Sequence, residues 1–447
     1  MSHISFVVCN QTSALISALT FAKALVTYGH QVTVMGNENS CEKAAKLGLK
    51  VASYGTFLER SAPTGLAVAF HDKFTRWFPP PPSYLEEQNE ICSALTRFQQ
   101  RETFDLALVD TMISYPFMLG SLRAGVPVAR FSPNLGSTES EKYPAISSSV
   151  IPSSKKFLFN MQCRISWLHR KSCVLPPMLT SRWTSLGLSE NLHQSWRKEI
   201  KLYNINLRSF EYGITAENVP ELVAAPVALE FPSLVNTRKN RTYIGACVDP
   251  TRDIADNDYL DREDNRPLIY CAMGTFSKRY SHAQTVFETV IQYALTKKDY
   301  RFLIQYGDVE LNTGRLPDHI RIQRFVPQIK ALRKASAMIS HGGLGSVREA
   351  SFFGVPMIII PGWNDQYGNA ARVQLHGTGV RLHPRHLTVH SLDKLISMLQ
   401  TDPLILKNVS RMQNAFREQE SCEPGLRAID EIINQVRISC KNRIIHK

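Results

Sequence analysis

Short apolar runs alternate with stretches of helical periodicity in two separate series, and this alternation restricts the possible folds more than any other feature of the chain. In the first series, ISFVVC precedes a segment with Ala18, Leu19, Ala22 and Leu25 at helical spacing, followed by Gly29-His30 and the run QVTVMG. FDLALVD, ending at Asp110, then a helical stretch and VPVARF repeat the pattern. A strand, an amphipathic helix and another strand make a βαβ unit, which sets the strands parallel. The second series starts after Pro267 with LIYCAM, a turn at Gly274-Thr275 and a helix from about His282, and continues through YRFLIQY, IRIQRF, AMIS and VPMIII. An α/β protein of two Rossmann-like halves is expected. The length of 447 residues agrees, because a single hydrophobic core stops growing at roughly 250–300 residues.

Between the halves, residues 249–265 carry seven acidic side chains against Arg252 and Arg262 and show little apolar periodicity, which reads as an interdomain linker. The predicted units are therefore 1–248, the linker, 266–423, and a last amphipathic helix with a basic tail over 424–447, its apolar face formed by Leu426, Ile429, Ile432, Ile433 and Val436. Pro79 to Pro82 reads as a loop, with a helix following from about Tyr84 to Gln100.

Charge is the abnormal part of the composition: 52 Lys+Arg against 39 Asp+Glu give a net +13, a balance that suits nucleic acid, anionic lipid or phosphorylated substrates. It is unevenly placed. From Pro152 to Lys201 nine Lys/Arg face only Glu190 and Glu199, among Phe157, Phe159, Trp167, Trp183 and Trp196. The stretch reads first as helices with solvated charge; cations interspersed with aromatics also suit the surface of an anionic membrane, and peripheral contact through 152–201 is the second reading. No zinc-finger or RNP-type motif accompanies the charge, so nucleic acid is not an expected partner. Nine scattered cysteines without a CxxC pair read as reduced thiols in a cytoplasmic protein. Neither a secretory signal nor a run of about 18 apolar residues is visible.

The chemistry concentrates in SHGGLGSVREASFFGVPMIIIPGWNDQYGNAARV, Ser340 to Val373. A strand ends at His341, Gly342 and Gly343 make a tight turn, and a helix starts near Gly345-Ser346. The free N–H groups and positive dipole end of that helix suit a phosphate or diphosphate. Glu349, three residues after Ser346 on the same face, places a carboxylate where ribose hydroxyls would lie beside the phosphate. Asp365-Gln366 follow the next strand at the same sheet edge, and a carboxylate next to an amide suits neighbouring sugar hydroxyls.

This segment resembles the donor-site signature of the family 1 nucleotide-sugar glycosyltransferases, which have the GT-B fold, as HGGLGS-x2-EA-x3-GVP-x4-P-x3-DQ-x2-NA-x-RV. MGTF (Met273 to Phe276), FVPQ (Phe325 to Gln328) and the N-terminal GHQVTV agree with it, and the nearest look is to the bacterial branch with carotenoid and macrolide glucosyltransferases. The resemblance implies two Rossmann-like domains facing each other across a cleft, with the last helix crossing back onto the first. It further implies inverting transfer of a hexose, most often glucose, from a UDP-sugar to a hydroxyl of a lipophilic small molecule such as a terpenoid, carotenoid or polyketide. UDP-sugar would be a co-substrate, with no metal or other cofactor. By the same resemblance Gln328 would contact uracil and Thr275 the diphosphate region. His341 and the backbone from Gly343 through Gly345 and Ser346 would hold the phosphates, Glu349 the ribose, and Asp365 and Gln366 the sugar. Asp256-Asn257-Asp258 imitates a DxD metal motif but sits inside the acidic linker and reads as solvated charge.

One departure matters. The family's catalytic histidine falls on Ala14, while Asp110 matches the aspartate that orients it. Asp110, directly or through water, is the first replacement base and His71 a distant second. The alternative is a catalytically impaired nucleotide-sugar-binding homologue or auxiliary subunit.

Overall fold

A computed structural model describes the chain apart from residues 54–81, 114, 136–141, 170–197, 206, 211–212, 217, 233–234, 236–239, 253–255, 275–276, 281 and 446–447. His71 and Thr275 lie outside the described residues. The first sheet takes β1 (His3–Val7), β2 (Gln31–Gly36), β3 (Lys50–Ser53), β4 (Leu106–Asp110) and β5 (Val128–Ser132), skips the hairpin β6 (Leu207–Phe210) and β7 (Gly213–Ala216), and is completed by β8 (Glu221–Val223) and β9 (Arg241–Tyr243). Its order is β3-β2-β1-β4-β5-β8-β9, all parallel. The second sheet, also parallel, uses β10 (Leu268–Ala272), β11 (Arg301–Gln305), β12 (Ile320–Gln323), β13 (Ala335–Ser340), β14 (Met357–Ile359) and β15 (Gly379–Arg381) in the order β12-β11-β10-β13-β14-β15. Each is doubly wound, reversing direction between β1 and β4 and between β10 and β13.

In the first half the helices include α1 (Thr12–Tyr28), α2 (Glu38–Lys46), α3 (Pro82–Arg101) and α4 (Tyr115–Arg123), with a further helix over residues 156–169. The second half has α5 (Ala283–Thr296), α6 (Gln328–Lys334), α7 (Leu344–Phe353), α8 (Gln366–Leu375), α9 (Val389–Thr401) and α10 (Pro403–Arg417), and α11 (Glu423–Ile445) ends the chain. The apolar positions of α1, Leu15, Ala18, Leu19, Ala22 and Leu25, are buried, and the helix stops at Gly29, whose φ of 107° an L side chain rarely adopts. Helix α11 returns to the first half. Its Leu426, Ile429 and Ile433 share a core with Leu15, Phe21 and Leu25 of α1, and Gly425 comes so close to Ile244 that an added Cβ would lie 2.6 Å from it.

The halves share a continuous apolar core, in which Leu135, Ile146, Leu229 and Val248 pack with Met338, Val347, Ala370 and Val373. Polar contacts fix their register. Arg372 of α8 donates to Glu230 of the first half at 2.9 and 2.5 Å with both side chains buried, and Arg348 of α7 donates to the carbonyl of Ala224 at 2.6 Å. Burial alone would raise the Glu230 carboxyl, but Arg372 and Arg241 with the Phe231 N–H hold it below the usual carboxylate range.

The stretch 249–265 differs from a solvated linker. Tyr259 and Leu260 are buried in the shared core, Asp249 pairs with Lys23, Asp261 with Lys330, and Asp264 with Arg266 and Arg301. Lys23, Lys330 and Arg301 are basic partners distant in sequence, whereas Arg266 lies two residues from Asp264.

Breaking a buried ion pair strands a charge and costs about 3–5 kcal/mol, whereas replacing both partners with apolar groups is often neutral. Glu230→Leu is expected to destabilise the protein by that amount in urea denaturation, and Glu230→Leu/Arg372→Met to recover most of it. A single variant as stable as the parent would contradict this view of the interface.

Candidate functional site at the cleft

Open α/β sheets take ligands at the carboxyl ends of their strands, where the strand order reverses. Here both reversal points face one cavity of about 720 Å³ between the halves. Gln11 to Leu15, Met112, Pro133 and Asn134 line it from the first half; Gly274, Gln328, His341, Gly343, Gly345, Ser346, Glu349, Asp365 and Gln366 line it from the second. The starts of α1 and α7 nearly touch: a Cβ added to Gly345 would lie 3.5 Å from that of Ser13.

After β13 the chain turns through Gly342 (φ 86°), and the His341 imidazole is wedged between two glycines: an added Cβ would come within 2.5 Å of the ring at Gly274 and 2.6 Å at Gly343. Tyr280 stacks on it at 5.8 Å. Burial pushes the ring pKa down to about 4 against a hydrogen bond to the Ala272 carbonyl, so the imidazole is neutral at pH 7. Asn369 secures the turn by donating to the Gly342 carbonyl at 2.9 Å.

Helix α7 begins at Gly343 without a side-chain cap and without an acidic residue in its first turn. Side-chain caps occur elsewhere, from Asn37 on α2, Thr388 on α9 and Asp402 on α10, although α5, which does not line the cleft, lacks one too. Helices α1 and α8, which also open on the cleft, lack side-chain caps. Uncapped N–H groups keep their capacity for a ligand anion.

Glu349 receives Arg252 at 2.8 Å and the Gln328 amide at 2.6 Å, while the Gln328 carbonyl accepts from Tyr270 at 3.3 Å. Arg252, from the acidic stretch, is therefore a cleft residue that local sequence pattern hides. Gln366 is largely committed to the protein: its carbonyl accepts from the N–H of Gly362 (2.8 Å) and Trp363 (3.0 Å), and its amide donates to Tyr280 (2.7 Å). Asp365 accepts from Asn369 at 3.0 Å. Other lining residues lie outside the predicted set, among them Lys23, Lys43 and Lys46, Tyr280, with no motif of its own, and Phe325, 70% exposed at the cavity and present within FVPQ.

On the first half, Ala14 is part of the wall, but Asp110 is not among the lining residues. It lies fully buried at the end of β4, its carboxylate accepting from the N–H of Met112 at 2.8 Å and of Cys9 at 3.4 Å. Burial outweighs these two donors and raises its pKa to about 7. Burial and the Asp110 charge in turn push the Cys9 thiol up to about 12. Asp110 is thus held out of the cavity wall by the backbone of Met112 and Cys9. Asp256 and Asp258 flank an Asn257 whose side chain donates to Gln323 at 3.0 Å, and Asp258 faces Arg321. Among the described residues no group of three or more His, Cys, Asp or Glu side chains could hold a metal.

A family described as erythromycin biosynthesis protein CIII-like, C-terminal domain, matches residues 295–425. NDP-glycosyltransferase YjiC of Bacillus subtilis is 30% identical over 39% of this chain, which spans only 44% of that relative's length. Demethyllactenocin mycarosyltransferase of Streptomyces fradiae is 21% identical over 93% of this chain and 83% of its own, and zeaxanthin glucosyltransferase of Pantoea ananas 29% identical over 38% of each. Among solved structures, the glycotransferase of kitacinnamycin superposes with a TM-score of 0.71 at 20% identity, covering 96% of this chain and 98% of its own. Glycosyltransferase VinC in complex with DTDP does so with a TM-score of 0.64 at 17% identity, over 97% and 100%. The chain has the GT-B fold and resembles, in its sequence and its architecture alike, the family 1 nucleotide-sugar glycosyltransferases of secondary metabolism.

Proposed function

We propose that this protein transfers a hexose, glucose in the first instance, from a UDP-sugar to a hydroxyl of a lipophilic small molecule, with inversion at the anomeric carbon. The observation that carries the reading is the uncapped start of α7 beside a ring-locked His341, open to a cleft that both halves line. The diphosphate lies against the first-turn N–H groups of α7 and His341, which meet the charge that develops on the leaving UDP without calling on a metal. Glu349, oriented by Arg252 and Gln328, accepts from ribose hydroxyls. Uracil rests at the Gln328 and Phe325 end, and Asp365 takes the sugar hydroxyls while Gln366 fixes the loop beside it. Thr275, outside the described residues, keeps its family role in the diphosphate region.

The acceptor hydroxyl approaches from the Ser13-Ala14 side and must lose a proton. Asp110 receives it through a water at Ala14, where the small side chain leaves room; a pKa of about 7 suits a base that must be half ionised at neutral pH. The second reading, a binding protein without turnover, is favoured by the same burial of Asp110 and by Ala14.

Incubation with UDP-glucose and a panel of hydroxylated lipophilic acceptors separates the two. Transfer is expected, with kcat/KM rising as pH increases through about 7 as Asp110 ionises, and Asp110→Asn is expected to remove that limb and about 10²–10⁴ of the rate. UDP binding without product on any acceptor would establish the second reading, and an unchanged Asp110→Asn profile would remove Asp110 from the chemistry.

The acceptor's lipophilicity agrees with a surface on the first half. The helix over residues 156–169 buries Phe159, Cys163 and Trp167 but exposes Phe157 (80%), Ile165 (54%) and Leu168 (64%), with Lys155, Lys156 and Arg164 beside them. An apolar stripe bordered by cations rests on anionic bilayers, and the proposal is that this face meets a membrane holding the acceptor. Trp183 and Trp196 fall outside the described residues, and no described helix is long and apolar enough to cross a membrane. Co-sedimentation with phosphatidylglycerol vesicles is expected, weakened by salt and lost in Phe157→Glu/Ile165→Glu; an equal soluble fraction with and without vesicles would contradict it.

A further inference from the structure

The geometry points to a reversible dithiol site, Cys247 with Cys422, that hydrogen peroxide or a related small peroxide converts to a disulfide at the junction of the two halves. This inference is independent of the catalytic reading. Cys247 lies just before the chain leaves the first half, and Cys422 just before α11 brings it back. Their sulfurs are 3.7 Å apart in a buried site, although 175 positions separate them in sequence. The two segments are in close contact: the Ala246 N–H donates to the Gln419 carbonyl at 3.1 Å, and a Cβ on Gly245 would lie 3.1 Å from the Cys422 Cα.

Two independent features mark the pair. Among the described non-glycine residues only four have positive φ, and two of them, Asn204 and Asn364, are of a type that tolerates it; the other two are Cys247 (47°) and Cys422 (57°). Backbone held in a disfavoured region at both members of a touching thiol pair means the surroundings impose the juxtaposition. The second feature is electrostatic. Cys422 stands at the start of α11, its carbonyl accepting the Leu426 N–H, where the helix dipole favours a thiolate. Arg348 of α7, 2% exposed, donates through one nitrogen to Ala224 and leaves its Nε without a partner, so a buried cation acts on both sulfurs. Contact with the Cys247 thiol and its N–H, together with Arg348, holds the Cys422 thiol below its ordinary value despite burial, whereas burial raises Cys247.

The position of Cys422 at the start of α11 makes it the attacking sulfur and Cys247 the resolving one. The Cys422 thiolate attacks a peroxide oxygen, the O–O bond breaks, and sulfenic acid and hydroxide form. Cys247 then gives up its proton and attacks the Cys422 sulfur, expelling the hydroxyl as water. Two thiols and one hydrogen peroxide yield one disulfide and two waters. The link ties the outgoing and returning chain together behind α7, the helix that bears Glu349.

Graded hydrogen peroxide on the full chain, followed by digestion without reductant and mass spectrometry, tests it. A 247–422 linked peptide, lighter by two hydrogens and reversed by dithiothreitol, is expected before oxidation elsewhere. In Cys247→Ser, or Cys247→Ala if a buried serine compromises folding, Cys422 is expected to stop at sulfenic acid that dimedone captures; in Cys422→Ala, Cys247 is expected to remain unlabelled. The site is overturned if both peptides stay reduced while other cysteines oxidise, or if dimedone labels Cys247 rather than Cys422.

Discussion

Two parallel sheets that turn their carboxyl edges toward each other are the constraint on which the rest of this molecule depends. A doubly wound sheet has one crevice, at its reversal point, and in each half that crevice opens on the same cavity. The facing is held by groups that tolerate little displacement: the buried Arg372–Glu230 pair, the Arg348 contact to Ala224, and Gly368, where any Cβ would lie 2.4 Å from the Ile146 carbonyl oxygen. Helix α11 closes the circuit by packing on α1.

In and behind the cavity wall the side chains divide by what they touch. His341, Gln366, Asn369 and Tyr280 mostly hold one another and the turn, which fixes the N–H groups at the start of α7 in a preorganised array. Glu349 and Asp365 are carboxylates of the second half that line the cavity, and both are steadied by amide donors. The first half contributes no exposed base at Ala14. Its ionisable group, Asp110, is one layer deeper, fully buried at the end of β4.

Much of this was legible in the sequence. Strands such as LIYCAM and FDLALVD carry enough apolar residues to be read locally, and the Ser340–Val373 segment fixes turn, helix start and carboxylate spacing within one stretch. Strands β8 and β9 are three residues each and exist because β5 offers them an edge, so no local period announces them. Arg252 was hidden for a related reason: seven acids around it read as solvated charge, and only the packing of Tyr259 and Leu260 draws the stretch against α7. The burial of Asp110 likewise depends on the segments around Met112 and Cys9, the second of which is about a hundred residues away in sequence.

The central claim is that the start of α7, with His341 locked beside it, binds a nucleoside diphosphate. Calorimetric titration of UDP into the parent protein and Gly343→Ala tests it most directly, because the new methyl group would occupy the place of the His341 ring. One UDP per chain, with affinity at least roughly tenfold weaker in the variant while its urea midpoint is retained, is the predicted result; a tenfold loss corresponds to about 1.4 kcal/mol. Equal affinity in the two proteins, or no binding to the folded parent, would contradict the account.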